Sequence, residues 1–213
     1  MESNKQNPQK STSCLTIVNF FNGFQVLSWA ITLLSMSVYT LSENISSFYE
    51  HRDYLLRLTI LFVKVAQTFQ ISDFVFAVCG CTPNNPIFSF IQILSRLVNV
   101  YIFMNEEVPS WLLGMIIFSW SIADTVRPLY NLVKNNHMIT WLRYSLFLLC
   151  YPIGASGEVL LMQRRLPEAA FKPYESSIRI FQVCVVLGMI YLYRFLLSQR
   201  RKNLGGEEKN KTN

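Results

Sequence analysis

The sequence predicts an all-α fold, a polytopic membrane protein built as a bundle of six transmembrane helices. Three observations carry that expectation. The chain is 51% hydrophobic and only 15% charged, with mean hydropathy +0.27, too apolar for an ordinary soluble domain of its length. Several stretches run without turn signals for the roughly 20 residues that a helix needs to cross about 30 Å of hydrocarbon. Between them stand polar turn clusters: CGCTPNNP at 79–86, NEEVP at 105–109 and KNNH at 134–137.

Residues 1–13 are polar and lack hydrophobic periodicity, so they read as a disordered cytosolic tail. The first span covers 14–41; it is too long for a cleavable leader and has no convincing cleavage site, which predicts a retained signal anchor. The second covers 55–78 and carries Arg57, Lys64 and Asp73. The third covers 87–104 with Arg96 inside, and the fourth 110–133 with Asp124, Arg127 and Pro128. A fifth runs from Trp141 to Met162 and a sixth over 178–197, so that 14–198 form the membrane domain and 199–213 a charged cytosolic tail.

Six spans place both termini on one side. Lys5, Lys10, Lys134, Arg200, Arg201, Lys202, Lys209 and Lys211 fall on that side, against Arg52, Arg164, Arg165 and Lys172 opposite, which by the positive-inside rule predicts cytosolic termini. Lysines third and fifth from the end resemble a dilysine retrieval signal of endoplasmic reticulum membrane proteins, although a plain solvated basic tail explains them equally well. The sequon at Asn44-Ile45-Ser46 is short enough to arise by chance.

Composition also excludes. The net charge of +6 is spread between and beside apolar segments, not gathered on a face with exposed aromatics, so no nucleic-acid partner is expected. Cys14, Cys79, Cys81, Cys150 and Cys184 show no zinc spacing and read as buried free thiols, with no metal site. Phosphatase chemistry needs an Arg six positions after a Cys. Here those positions hold Phe20, Asn85, Ile87, Ser156 and Ile190.

A charged side chain inside a span costs roughly 2.5–3.5 kcal/mol on insertion scales and so tends to mark a partner, a wet cavity or a function. Arg57, at a segment end, is expected to snorkel. Lys64, Asp73, Arg96, Asp124, Arg127, Arg143 and Glu158 need partners, and Asp124 with a basic neighbour is the expected structural pair. Tyr144, Tyr151 and Glu158 recur at steps of seven, two helical turns or about 10.5 Å apart on one face. Gly154 and Ala155 leave that face nearly bare between Tyr151 and Glu158, and Pro152 removes a backbone donor and predicts a bend. Two accounts fit these residues. Pro and Gly mark a packing kink with Glu158 near the headgroups, which the residues alone favour; or a phenol and a carboxylate border an apolar groove as an acid and base pair suited to eliminating water from a 3-hydroxyacyl thioester.

Trp141-Leu142-Arg143-Tyr144, Phe147, Tyr151-Pro152-Ile153-Gly154 and Glu158 resemble the W-L-R-Y...F...L-Y-P-x-G-x-x-x-E signature of the very-long-chain (3R)-3-hydroxyacyl-CoA dehydratases, also called protein-tyrosine-phosphatase-like proteins. Weaker similarity extends through Gln92, Ser95-Arg96, Ser119-Trp120-Ser121, Asp124 and Arg127. The resemblance implies a hydro-lyase of the endoplasmic reticulum membrane that performs the third step of fatty-acid elongation, 3-hydroxyacyl-CoA to trans-2-enoyl-CoA. It makes Tyr151 and Glu158 the catalytic pair and calls for no cofactor or metal. Arg96, Arg127, Arg143, Tyr144 and Gly154 are the candidate substrate-binding residues. The implied partners are a long-chain 3-hydroxyacyl-CoA, membrane lipid, and the condensing enzyme and reductases of elongation. This chain departs from the family at Asp73 and Phe76, where a Glu and a His are expected, and at Pro128, where a Tyr is expected. Those departures support a second possibility, an inactive relative serving as a scaffold or lipid-binding subunit. A transporter ranks last because no internal repeat is found.

Overall fold

The computed structural model describes residues 12–42, 51–82, 84–133, 136–165 and 172–210. The sequon and most of the N-terminal tail lie outside them. The described chain is helical: α1 Thr12–Ser42, α2 Arg52–Phe69, α3 Ile71–Val78, α4 Pro86–Val98, α5 Ser110–Leu132, α6 His137–Arg165 and α7 Lys172–Asn210, with a π-helical turn Asn99–Phe103 extending α4. Because α2 and α3 follow one another directly, this is a bundle of six membrane helices, five of them long and apolar enough to span. The protein is a multi-pass membrane protein.

The break between α2 and α3 has a local cause. Around Gln70, side chains compete for the backbone: the Ser72 hydroxyl donates to the Phe69 carbonyl (2.7 Å), and the buried Gln67 amide donates to the Gln70 side chain (2.8 Å). Such local bonds weaken the regular helical ladder. Turn chemistry likewise sets the start of α4. Asn85 caps it by accepting from the Ile87 amide (3.0 Å), and Pro86 occupies the first helical position, where no donor is needed.

The rigid part of the bundle is α1 on α2 and α5, with α5 on α6. Trp29 and Met36 of α1, Val63 of α2, Leu113, Ile116 and Ile117 of α5, and Leu161 and Met162 of α6 are fully buried there. Small residues allow the α5–α6 approach. A Cβ added at Gly157 would stand 2.7 Å from Ile116 Cγ1, and one at Gly154 would stand 3.2 Å from Ser119 Cβ, the close backbone packing that membrane helices use where hydrophobicity supplies no net attraction. Helix α7, by contrast, leans mainly on α6, and only 6% of its most apolar stretch is buried in the protein.

The structure adds detail to the sequence reading and overturns one expectation. Helix α6 runs unbroken through Pro152, whose ring is exposed. Gly154 and Gly157 seat α5 as much as they leave room for a ligand. Helix α7 continues past residue 198, and Lys209 falls in its final turn. The cysteines are not all free: Cys14 and Cys81 form a disulfide, with Cα atoms 6.0 Å apart, tying the start of α1 to the turn after α3. A separation of 67 residues holds no sequence signal for that pairing; folding α1 against α2 and α3 brings the two within disulfide reach. Cys79, Cys150 and Cys184 are free.

The charged residues find partners. Arg96 of α4 forms a buried ion pair with Asp124 of α5 and lies over the Trp120 ring (5.0 Å). Asp73 accepts from Gln25 of α1 (3.0 Å) and pairs with Arg127 of α5 (3.4 Å). Arg57 is exposed and pairs with Glu106 (2.9 Å), as a residue at a span end should. Removing one member of a buried pair strands the other charge, at about 3–5 kcal/mol, whereas replacing both by apolar residues of similar volume is often neutral. Arg96→Met is therefore expected to lower the thermal unfolding midpoint sharply in detergent, and Arg96→Met with Asp124→Leu to recover most of the loss; a double variant no better than the single one would show that the pair is not what holds α4 to α5.

Candidate functional site

Glu158 sits late in α6, only 3% exposed, facing α5 and the π turn that ends α4. A carboxylate so placed needs donors. Trp120 Nε1 of α5 donates to Oε1 (3.0 Å), and Asn99 Nδ2 donates to Oε2 (3.1 Å). Asn99 is itself fully buried, and the same amide group donates to the Ser95 carbonyl (3.0 Å). The π turn begins at Asn99; such turns insert an extra residue in a helix and recur at functional sites. A carboxylate offers about four acceptor positions, so the two donors fix its plane and leave lone pairs to take a proton.

Tyr151 lies two turns earlier on α6, half-buried. Between it and Glu158 opens a cavity of about 270 Å³. Its α5 and α6 walls include Ser119, Trp120, Tyr151, Gly154 and Glu158; α4 adds Ile91 and Leu94 together with Gln92, Ser95 and Arg96, and mainly apolar residues of α7 complete it. Tyr151, Arg96 and Gln92 also line a second, more polar space of about 450 Å³, together with Arg127, Arg143 and Asn85. This vestibule lies between the start of α4, the end of α5, the start of α6 and the later part of α7, at the end of the bundle where α1 starts and α7 finishes. The apolar cavity therefore meets the vestibule at Tyr151.

The structure brings most of the sequence-predicted residues together. Tyr151, Glu158, Arg96 and Gly154 line the apolar cavity, and Arg127 and Arg143 the vestibule. Arg143 stacks on Tyr130 (4.2 Å), and Arg127 is oriented by Asp73. Tyr144 does not line either space; it packs edge-on against Tyr130 (6.3 Å) beside Arg143. Its place on the stripe is kept, but α6 has turned it toward α5. Sequence reasoning missed Asn99, a neutral polar residue hidden among charged ones, although an amide in mid-span is itself a signal. It also left Trp120 without a role. Among the described residues no group of His, Cys, Asp or Glu could hold a metal ion.

Of the three departures from the expected pattern, Asp73 pairs with Arg127 of the vestibule, and the other two stand away from the cavity. Phe76 packs on Phe21 of α1 (5.3 Å), Pro128 is buried within α5, and neither lines the cavity or the vestibule.

Comparison with known proteins finds several relatives. The chain is 29% identical over 153 residues to a Schizosaccharomyces pombe protein named "Probable very-long-chain (3R)-3-hydroxyacyl-CoA dehydratase", spanning 66% of this chain and 72% of that one. It is 24% identical to very-long-chain (3R)-3-hydroxyacyl-CoA dehydratase 1 of Mus musculus, over 89% of this chain and 73% of the relative. A Caenorhabditis elegans protein of the same dehydratase name is 25% identical over 93% and 99% of the two chains. No solved structure matches. Residues 67–206 match the family described as protein tyrosine phosphatase-like protein, PTPLA, a stretch that holds the whole of the cavity and the vestibule, and the chain belongs to that family.

Proposed function

We propose that the protein is a 3-hydroxyacyl-CoA dehydratase acting on long acyl chains. The observation that carries this is the buried Glu158 carboxylate, fixed by Trp120 and Asn99 at the wall of an apolar cavity that Tyr151 joins to an arginine-bearing vestibule. An acyl thioester is apolar at one end and highly anionic at the other, and the two spaces differ in the same sense.

In the reaction, Glu158 takes the proton on C2. The freed electron pair forms the C2=C3 bond as the C3–O bond breaks, and the Tyr151 hydroxyl gives its proton to the departing oxygen, releasing water. Glu158 then returns its proton to the tyrosine through that water, and the net change is loss of one water. The assignment of base to the carboxylate follows from the phenol's ordinary pKa of about 10. Arg127 and Arg143 receive the phosphates of the carrier, the planar guanidinium being suited to phosphate. No cofactor enters this sequence of steps.

The inactive-scaffold alternative rests on the changes at Phe76 and Pro128. Their position off the cavity leaves the reacting groups untouched and favours an enzyme. The endoplasmic reticulum membrane is the compartment this function implies, with the condensing enzyme and reductases of elongation as neighbours that pass on the same substrate. Two features bear on orientation. The lysine and arginine count puts the terminal face in the cytosol, whereas the Cys14–Cys81 disulfide lies on that face, and disulfides persist mainly in oxidising compartments. The charge distribution acts as the chain is inserted, before a disulfide can form, and so sets the orientation.

Tyr151→Phe and Glu158→Gln are each expected to lower kcat by about 10²–10⁴-fold, the usual worth of a positioned acid or base, in variants that keep the elution profile of the folded protein. The readout is enoyl-CoA by mass spectrometry; a wild type inactive at every chain length would instead support the scaffold. Arg127→Gln and Arg143→Gln should raise KM for hydroxyacyl-CoA with little change in kcat. That KM effect should vanish with the hydroxyacyl pantetheine thioester, which lacks the nucleotide phosphates; an equal effect on both substrates would remove the phosphate role. A C-terminal tag should be reached by antibody in cells whose plasma membrane alone is permeabilised, and protection of the tag would reverse the orientation.

A further inference from the structure

We propose that the cavity has no floor: it opens sideways into the bilayer between α4 and α7, and the acyl chain of the substrate leaves through this gap, past Gly188. The inference rests on the dehydratase reading and adds how one site serves chains longer than itself.

Volume is the first argument. The cavity, about 270 Å³, lies at the small end of the roughly 300–1,000 Å³ that ligand pockets span, little room for a long acyl chain. A longer chain must either be refused or continue elsewhere. The second argument is where the lining residues stand. Trp120 and Glu158, on the α5 and α6 side, are buried, and added Cβ atoms at Gly154 would meet α5. On the opposite side the lining residues are also surface residues. Ile91 and Leu94 of α4 are 55% and 44% exposed, and Cys184, Gly188 and Tyr191 of α7 are exposed as well. Residues that line a cavity while facing outward form its rim, and in a membrane helix their outer side meets lipid tails.

Gly188 lies near the middle of the long apolar stretch of α7, and a Cβ built there meets nothing within 4 Å. Packing therefore does not demand a glycine, as it does at Gly157, whereas an unobstructed gap does. The vestibule at the terminal face takes the charged carrier, Tyr151 and Glu158 face the reacting carbons, and the remaining methylenes pass between Leu94 and Gly188 into hydrocarbon much like that of the substrate. Leaving the protein in mid-membrane costs such a chain no apolar contact with water.

The test compares wild type, Gly188→Ala and Gly188→Leu on 3-hydroxyoctanoyl-CoA, a short-chain substrate, and 3-hydroxyicosanoyl-CoA, a long-chain one. Gly188→Leu should lower kcat/KM for the twenty-carbon substrate about tenfold more than for the eight-carbon one, a discrimination of the size that apolar pockets reach, with Gly188→Ala between. Open space around the Cβ means that both variants should fold. An unchanged chain-length ratio in an active protein overturns the portal and leaves the dehydratase reading standing; a wild type inactive on both substrates overturns that reading and the portal with it. Site-resolved maleimide labelling of the native Cys184 gives a second readout. The twenty-carbon substrate should slow labelling and the eight-carbon one should not, and equal labelling in both would also overturn the proposal.

Discussion

The arrangement turns on one requirement: a carboxylate buried in a membrane bundle must be given hydrogen-bond donors by the protein, because lipid has none. Glu158 obtains them from two other helices, Trp120 on α5 and Asn99 at the π turn of α4. This single group therefore sets the relation of three helices. If α4 continued as a regular α-helix, the angular position of the residues from Asn99 onward would shift by the residue that the π turn inserts. The same interaction that makes the carboxylate tolerable also makes it precise in position, which a proton-abstracting group requires.

A second constraint acts alongside it. Trp120 reaches Glu158 only because α5 and α6 run close together, and they do so where Gly154 and Gly157 present no side chain. The glycines thus serve contact and cavity at once: Gly157 is taken up by Ile116, while Gly154 touches Ser119 on one side and borders the cavity on the other. Arg96 supports the same corner, pairing with Asp124 and covering the Trp120 ring. Arg127 at the vestibule is likewise paired, with Asp73, while Arg143 stacks on Tyr130.

Much of this was legible in the sequence, and the parts that were not share a cause. The six helices followed from apolar length and turn clusters; the step of seven set Tyr151 and Glu158 on one face, but only the family resemblance singled them out as a pair. The expected pairing of Asp124 with a basic neighbour is met by Arg96 of α4. What escaped were relations between helices. Tyr144 obeys the same seven-residue step, yet it meets Tyr130 because a stripe on a straight cylinder can be covered by different neighbours at different depths. Asn99 is remote in sequence from Glu158, and no periodicity connects them. The Cys14–Cys81 disulfide depends on α1 lying against α3, and the break at Gln70 depends on side-chain bonds that an apolar average smooths away.

The contrast between the tight and loose halves of the bundle suits the substrate proposed for it. An amphipathic thioester cannot enter a sealed bundle from water without dragging its tail across a polar mouth, nor from lipid without dragging its phosphates through hydrocarbon. A site open on two sides, to the aqueous face for the head and to the bilayer for the tail, avoids both costs. Such a site needs one helix that encloses little, and α7 is that helix, touching the rest mainly through α6. The disadvantage is that α7 adds little packing energy, so the geometry of the reacting groups has to be fixed without it. Trp120, Asn99 and Glu158 all lie on α4, α5 and α6, and α7 contributes only apolar wall. On the proposed reading, the reacting groups are thereby kept apart from the part of the bundle that yields to the acyl chain.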